Sequence, residues 1–398
     1  MEITVQTFET LIGPPESSNW LELWPRVKTL CWATPPEYLQ FLKHFLTANV
    51  RNLKINLERT EDEVFQEVLG LVESRCMNLE DLHLFDSETR ENVEIQDTIR
   101  QIIYNNSLTL RLFYPPQDPS SPLVSDILQL PALQALEMHV PKIPDPAPLD
   151  ILPSLEYLNF TLEEPPDVVD LLGTLRESKL RRFTLICPYP SSRKHKAALI
   201  EFFDDSGLYD SVETFSWTPP TGGVVPTWSF VKTLDSFANM QTLILNGSCN
   251  RVCPLMFRHN HVVELSRWMP YLRELTFGGS PCPFGGLKTD IGYHTFGILV
   301  RNCPDLFKLS IHFNINSFIM PVGYVNPSWN VLIWDVGNTA LPRHPLAQTM
   351  IALSVSKLFP KVAFVGPDMG KKRGLWGTIH EEFQMCTLPT IHRLLDLR

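Results

Sequence analysis

Leu272, Leu275 and Phe277 stand in the spacing L-x-x-L-x-Φ, where Φ is a large apolar residue, and Leu306, Leu309 and Ile311 repeat it 34 residues later. Between the two lies a Gly/Pro-rich loop and then an apolar-periodic run from Ile291 to Val300, closed by Asn302-Cys303-Pro304. The spacing predicts a short strand, a loop, a helix and a second strand. A unit of that kind leaves an apolar side that it cannot cover alone, so it must stack on copies of itself. This constrains the fold more than any other feature of the chain.

The same spacing recurs along the sequence. Its first position falls at Val27, Val50, Leu79, Ser107, Leu133, Leu155, Leu180, Val212, Met240, Leu272, Leu306, Val331 and Val362, which makes thirteen units separated by 22 to 34 residues. The second and third positions follow at fixed offsets, as in Leu53 and Ile55, Leu82 and Leu84, Leu110 and Leu112, or Phe215 and Trp217. The intervening segments carry helical periodicity. Glu61–Ser74 places Val64, Val68 and Leu71 on one face, and Glu91–Tyr104 does the same with Ile95, Ile99, Ile102 and Ile103. The expected fold class is α/β: a leucine-rich-repeat solenoid, or horseshoe, with a parallel inner sheet and an irregular outer layer of helices and loops. Residues 25–370 form the repeat array. Residues 1–24 read as an N-terminal capping segment and 371–398 as a C-terminal capping helix and tail, because end repeats need a shielded edge.

Thirteen strands at about 4.8 Å make an inner sheet roughly 58 Å long, the largest surface on offer to a partner. Strand side chains alternate, so the residues flanking each middle apolar position point into it. Those expected to meet a partner on the concave face are Asp81, His83, Arg111, Glu137, Tyr157, Arg182, Glu274 and Lys308. His83 reads as a solvated side chain rather than a general base.

Composition narrows the function. A net charge of −10 argues against general nucleic-acid and anionic-membrane binding. No apolar run approaches 18 residues, and the start lacks the basic and apolar regions of a secretory signal, so the reading is a cytoplasmic or nuclear protein. The eight cysteines are scattered and read as reduced thiols. Cys249-x3-Cys253 with His259-x-His261, and Cys282 in the next loop, resemble metal ligands in type, but the His pair is too tight for the usual zinc spacing, so neither a metal nor another cofactor is expected. The glycines of Phe277-Gly278-Gly279-Ser280 and Phe284-Gly285-Gly286 lack the Lys-Ser/Thr of a phosphate loop. No G-x-S-x-G or other local nucleophile signature occurs, and no enzymatic activity is expected.

The order of landmarks resembles fungal F-box/leucine-rich-repeat proteins of the basidiomycete type. The residues that carry the likeness are Leu11-Ile12-Gly13-Pro14-Pro15, Trp24-Pro25-x-Val27-x-x-Leu30, Ser74-Arg75-Cys76-x-Asn78-Leu79-x-x-Leu82, Phe277-Gly278-Gly279-Ser280-Pro281-Cys282, Asn302-Cys303-Pro304-Asp305-Leu306, Val336-Gly337-Asn338-Thr339 and Leu358-Phe359-Pro360. The resemblance implies a non-enzymatic receptor whose repeats hold a protein substrate, while an F-box docks the Skp adaptor of a cullin ubiquitin ligase. The chain departs from the family in having no L-P-x-E/D motif and no three-helix stretch before Gly13, so an F-box would have to lie upstream. The alternatives are a stand-alone repeat scaffold without a ligase link, and a metal-dependent enzyme built on the Cys249–His261 loop.

Overall fold

A computed structural model of the chain describes residues 26–32, 39–58, 60–86, 92–116, 121–140, 152–162, 179–186, 208–218, 228–246, 257–277, 289–311, 313–319, 326–335, 344–362 and 364–365. The capping segments expected over 1–24 and 371–398 lie outside the described residues, as do both glycine-rich stretches. The chain is α/β and divides into two compact units, Met1–Leu180 and Arg181–Arg398.

The first unit contains β1 (Thr29–Trp32), β2 (Asn52–Asn56), β3 (Asp81–Phe85), β4 (Leu112–Tyr114), β5 (Ala135–Val140) and β6 (Tyr157–Leu162). Each strand pairs in parallel with the next, and one apolar row runs straight across: Leu30, Leu53, Leu82, Phe113, Leu136, Leu158. The second unit contains β7 (Arg182–Ile186), β8 (Thr214–Thr218), β9 (Thr242–Leu245), β10 (Glu274–Phe277), β11 (Lys308–Ser310), β12 (Ile333–Asp335) and β13 (Phe364–Val365). Its parallel row is Phe183, Phe215, Leu243, Leu275, Leu309, Trp334 and Val365. Burial alternates along the strands with period two, as in β2 and β8, so one side of each sheet is core and the other is open.

Register is fixed just ahead of each strand by a shared carbonyl. The Lys28 carbonyl accepts the N–H groups of Arg51 and Asn52, that of Arg51 accepts those of Glu80 and Asp81, and Glu80, Arg111 and Gln134 continue the series. In the second unit Arg181, Glu213, Gln241, Arg273 and Phe307 do the same. Slipping a strand by one residue would break two bonds here and turn its core residues outward.

Parallel neighbours need a crossover, and helices supply many of them. In the first unit these are α1 (Leu39–Leu42), α2 (Asp62–Arg75), α3 (Val93–Asn105) and α4 (Ser121–Leu128). In the second they are α5 (Leu208–Ser211), α6 (Trp228–Val231, continued by a 3-10 turn), α7 (His259–Trp268), α8 (Tyr293–Asn302), α9 (Asn316–Ile319) and α10 (Pro345–Leu358). Helix α3 buries the expected Ile95, Ile99, Ile102 and Ile103. Helix α2 instead buries Phe65, Val68, Leu69 and Val72, because burying the large Phe65 ring rotates the helix away from Val64 and Leu71.

The fourth strand differs from the expected spacing. The letters at Ser107, Leu110 and Leu112 fit the pattern, yet Phe113 pairs with Leu82 and Leu136 as the middle residue, with Leu110 as the first. The cause lies in how α3 ends. Asn106 is buried, its amide donates to the Ile102 carbonyl at 2.9 Å and the Cys76 carbonyl at 3.1 Å, and its Oδ1 accepts the Leu79 N–H at 2.8 Å. The turn that this clamp imposes runs through Thr109, so the strand starts three residues late.

Candidate functional site

On the open side of the first sheet, alternation and register lay out two rows. The first is Thr29, Asn52, Asp81, Leu112, Ala135 and Tyr157; the second is Cys31, Lys54, His83, Tyr114, Glu137 and Asn159. Four of the residues expected at a partner site, Asp81, His83, Glu137 and Tyr157, are thus brought together on β3, β5 and β6, with β4 between them. Lys54, Leu112, Tyr114 and the half-exposed Phe85 stand among them.

His83 is buried, only 7% exposed, and not the solvated side chain expected from sequence. Its ring stacks on Tyr114 with centroids 3.9 Å apart and planes 17° apart, and Phe85 lies 5.8 Å away. Burial, with the Lys54 ammonium adding to it, pushes His83 down to about 4, so the ring is neutral near pH 7. Its Nε2 has no hydrogen-bond partner among the described residues. Burial likewise raises the Asp81 carboxyl, against the pull of Lys54. Burial raises the Tyr114 hydroxyl too, reinforced by Glu137, Tyr157 and Asp81. The cluster is therefore a half-dry patch of aromatic faces with charges of both signs, which strengthens each polar contact it makes.

Arg111 is not part of it. The late start of β4 puts Arg111 before the strand, in the series with Arg51, Glu80 and Gln134. That series is an edge lined with charge, where Arg51 pairs with Glu80 and, in the second unit, Arg181 pairs with Glu213 at 2.5 Å. The same shift explains why Leu112 and Tyr114 were missed. The only signal for them was the Asn106 stop, since Leu110-x-x-Phe113 fits the spacing as well as the alternative.

Arg182, Glu274 and Lys308 lie on the open side of the second sheet, in the row Arg182, Thr214, Thr242, Glu274, Lys308, Ile333. The parallel row is Thr184, Ser216, Ile244, Thr276, Ser310 and Asp335. The Lys308 ammonium sits 2.5 Å from the Glu274 carboxylate, and the Ser310 hydroxyl lies 3.3 Å from Asp335. This face is hydroxyl-rich, and its central charges are matched within the chain.

The two histidines of the suspected metal loop go separate ways. The His259 ring is 2.8 Å from the Thr295 hydroxyl, and its backbone N–H donates to Asp290. His261 stacks on Trp228 at 4.2 Å and accepts the Arg258 N–H. Cys249, Cys253 and Cys282 lie outside the described residues. Among the described residues, no three His, Cys, Asp or Glu side chains are grouped to hold a metal ion. Cys76 and Cys303 are buried, and burial pushes both thiols up to about 12, far from the thiolate range. No described helix is long and apolar enough to cross a membrane.

No family model matches the chain, and a search of curated proteins finds no match.

Proposed function

We propose that the chain is a leucine-rich-repeat protein without enzymatic activity, whose open sheet side recognises a partner protein, with the first-unit cluster of Asp81, His83, Tyr114, Glu137 and Tyr157 as the principal contact. The observation that carries this reading is the His83–Tyr114 stack set among carboxylates and Lys54 on a regular sheet. Tyrosine-rich, partly desolvated patches of mixed charge are where protein interfaces concentrate their binding energy. The in-register parallel succession of strands supports the repeat architecture, and a rigid sheet holds such a patch at low entropic cost. The likeness to fungal F-box/leucine-rich-repeat proteins extends the proposal: the chain is the substrate-recognition part of a ubiquitin-ligase receptor in the cytoplasm or nucleus.

Affinity capture from cells expressing the tagged chain, compared with Tyr114→Ala/Tyr157→Ala, tests the reading. A partner enriched by the wild type and depleted about tenfold or more by the double variant is expected. An identical partner set from both would overturn the assignment of the face. The Skp adaptor among the captured proteins supports the ligase link, and its absence favours the stand-alone scaffold.

A further inference from the structure

The shared-carbonyl edge changes character along the second unit. Just ahead of each strand it carries Arg181, Glu213, Gln241 and Arg273, and then Phe307 and Leu332, joined by a backbone bond of 2.9 Å. In the first unit the same positions hold Arg51, Glu80, Arg111 and Gln134. Phe307 and Leu332 are exposed, and so are Tyr271 and Trp329 on the turns that lead into β10 and β12. Large apolar side chains thus meet water at one end of an otherwise polar edge. A cavity of about 350 Å³ opens beside them, across the turns that precede β8 to β11. Asp210, Asn239, Tyr271 and Asp305 line it from the turns, Gln241 and Arg273 from the strand entries, and none of these six is buried. The Glu213 carboxylate in its wall is held by Arg181, but those of Asp210 and Asp305 pair with no Lys or Arg among the described residues.

We propose that this edge binds an extended segment of a partner protein in which a lysine or arginine stands two places from a large apolar residue. The surface is separate from the first-unit face and does not depend on it. Tyr271 and Asp305 precede β10 and β11 at matching register, so a ring face and an uncompensated carboxylate stand about 4.8 Å apart between backbones, a setting for one cation. Lys361 already lies 5.8 Å from the Trp329 ring centre, so the far end repels a second cation and takes an apolar side chain on Phe307 and Leu332. Alternate side chains of an extended chain point the same way about 6.6 Å apart, which spans the step from one position to the other. The amides of Asn239 and Gln241 each offer a donor and an acceptor, and Arg273 offers donors, which together match the peptide groups of an extended backbone. Asp210 gives the cavity a second uncompensated carboxylate, so a basic segment is favoured over an acidic one.

Random peptides displayed on phage, selected on the full chain and screened for loss of binding to Tyr271→Ala, test this. The Tyr271-dependent peptides should share a lysine or arginine two places from an aromatic residue or leucine. Asp305→Asn should weaken them about threefold and flatten the salt dependence, the scale of an exposed ion pair. Leu332→Asp should weaken them about tenfold, the scale of a lost anchor. Tyr114→Ala/Tyr157→Ala, in the other unit, should leave them bound as tightly as before. All three edge positions are exposed, so the melting temperature should not move. An absence of Tyr271-dependent peptides, peptides without a basic residue, or binding indifferent to Asp305→Asn would overturn the proposal. Sedimentation should find the wild type monomeric. A dimer that Leu332→Asp dissociates would make a second copy of the chain the occupant, and would overturn the partner segment.

Discussion

Beneath the sheet of the first unit the central buried row is Leu30, Leu53, Leu82, Phe113, Leu136 and Leu158; in the second it is Phe183, Phe215, Leu243, Leu275, Leu309 and Trp334. Of the eleven largest fully buried side chains among the described residues, eight belong to the second unit, Trp217, Phe296 and Trp334 among them. There Phe296, from α8, meets Trp334 at 5.7 Å and Phe313 at 5.5 Å, both near edge-on, the arrangement that aromatic quadrupoles favour. The open sides contrast the other way. The first unit displays rings and free charge, the second displays hydroxyls and the Lys308–Glu274 pair. The strand spacing thus demands only that the inward positions be apolar and well filled. It leaves the outward positions unconstrained, and in that freedom a recognition surface can develop in one unit without disturbing the fold of either.

Substitutions should expose this division. The largest effect belongs to the aromatic core: Trp334→Ala should cost roughly 4 kcal/mol in urea unfolding and more than Leu82→Ala, since it opens a larger cavity. If the leucine change cost more, the contrast between the two cores would fail. Next comes Asn106→Ala, which strands the Leu79 N–H and the Cys76 carbonyl inside the first unit and should cost about 3 kcal/mol.

Third is an acid sensitivity peculiar to the first unit. His83 is lowered to about 4 in the fold, against an ordinary value of 6.5, so between these values the unfolded chain binds the proton and the native chain does not. Stability contributed by the neutral ring is complete above pH 6.5 and falls as pH drops toward 4, by about 2 kcal/mol at pH 5. His83→Phe keeps the stack on Tyr114 and should remove that slope. Asp81, raised by burial, contributes with the opposite sign at the acid end, so the difference between wild type and variant isolates the imidazole. The smallest effect is at the charged edge. Arg181→Ala breaks an exposed ion pair and should change stability by less than about 0.5 kcal/mol in the same unfolding assay.

Much of the strand layer could be read from residue order, because burial depends on spacing: twelve of the thirteen expected middle positions pair in register, and eleven of these are buried among the described residues. The exception is instructive. Leu110 and Leu112 satisfied the letters, but a buried asparagine side chain bonding three backbone groups outweighed them, and letter spacing carries no information about a helix cap. His83 was misjudged for a related reason: a histidine on an outward position is solvated unless a neighbouring ring covers it, and that ring, Tyr114, belonged to the one strand out of register.

The claim that the first unit's open side is the recognition surface can be tested by placing a photo-crosslinking amino acid at Tyr157 or, in a second protein, at Thr242 on the hydroxyl-rich face. Irradiation in cells should yield a discrete adduct with a partner from position 157 and none from position 242. An adduct from 242 alone would place the recognition surface in the wrong unit.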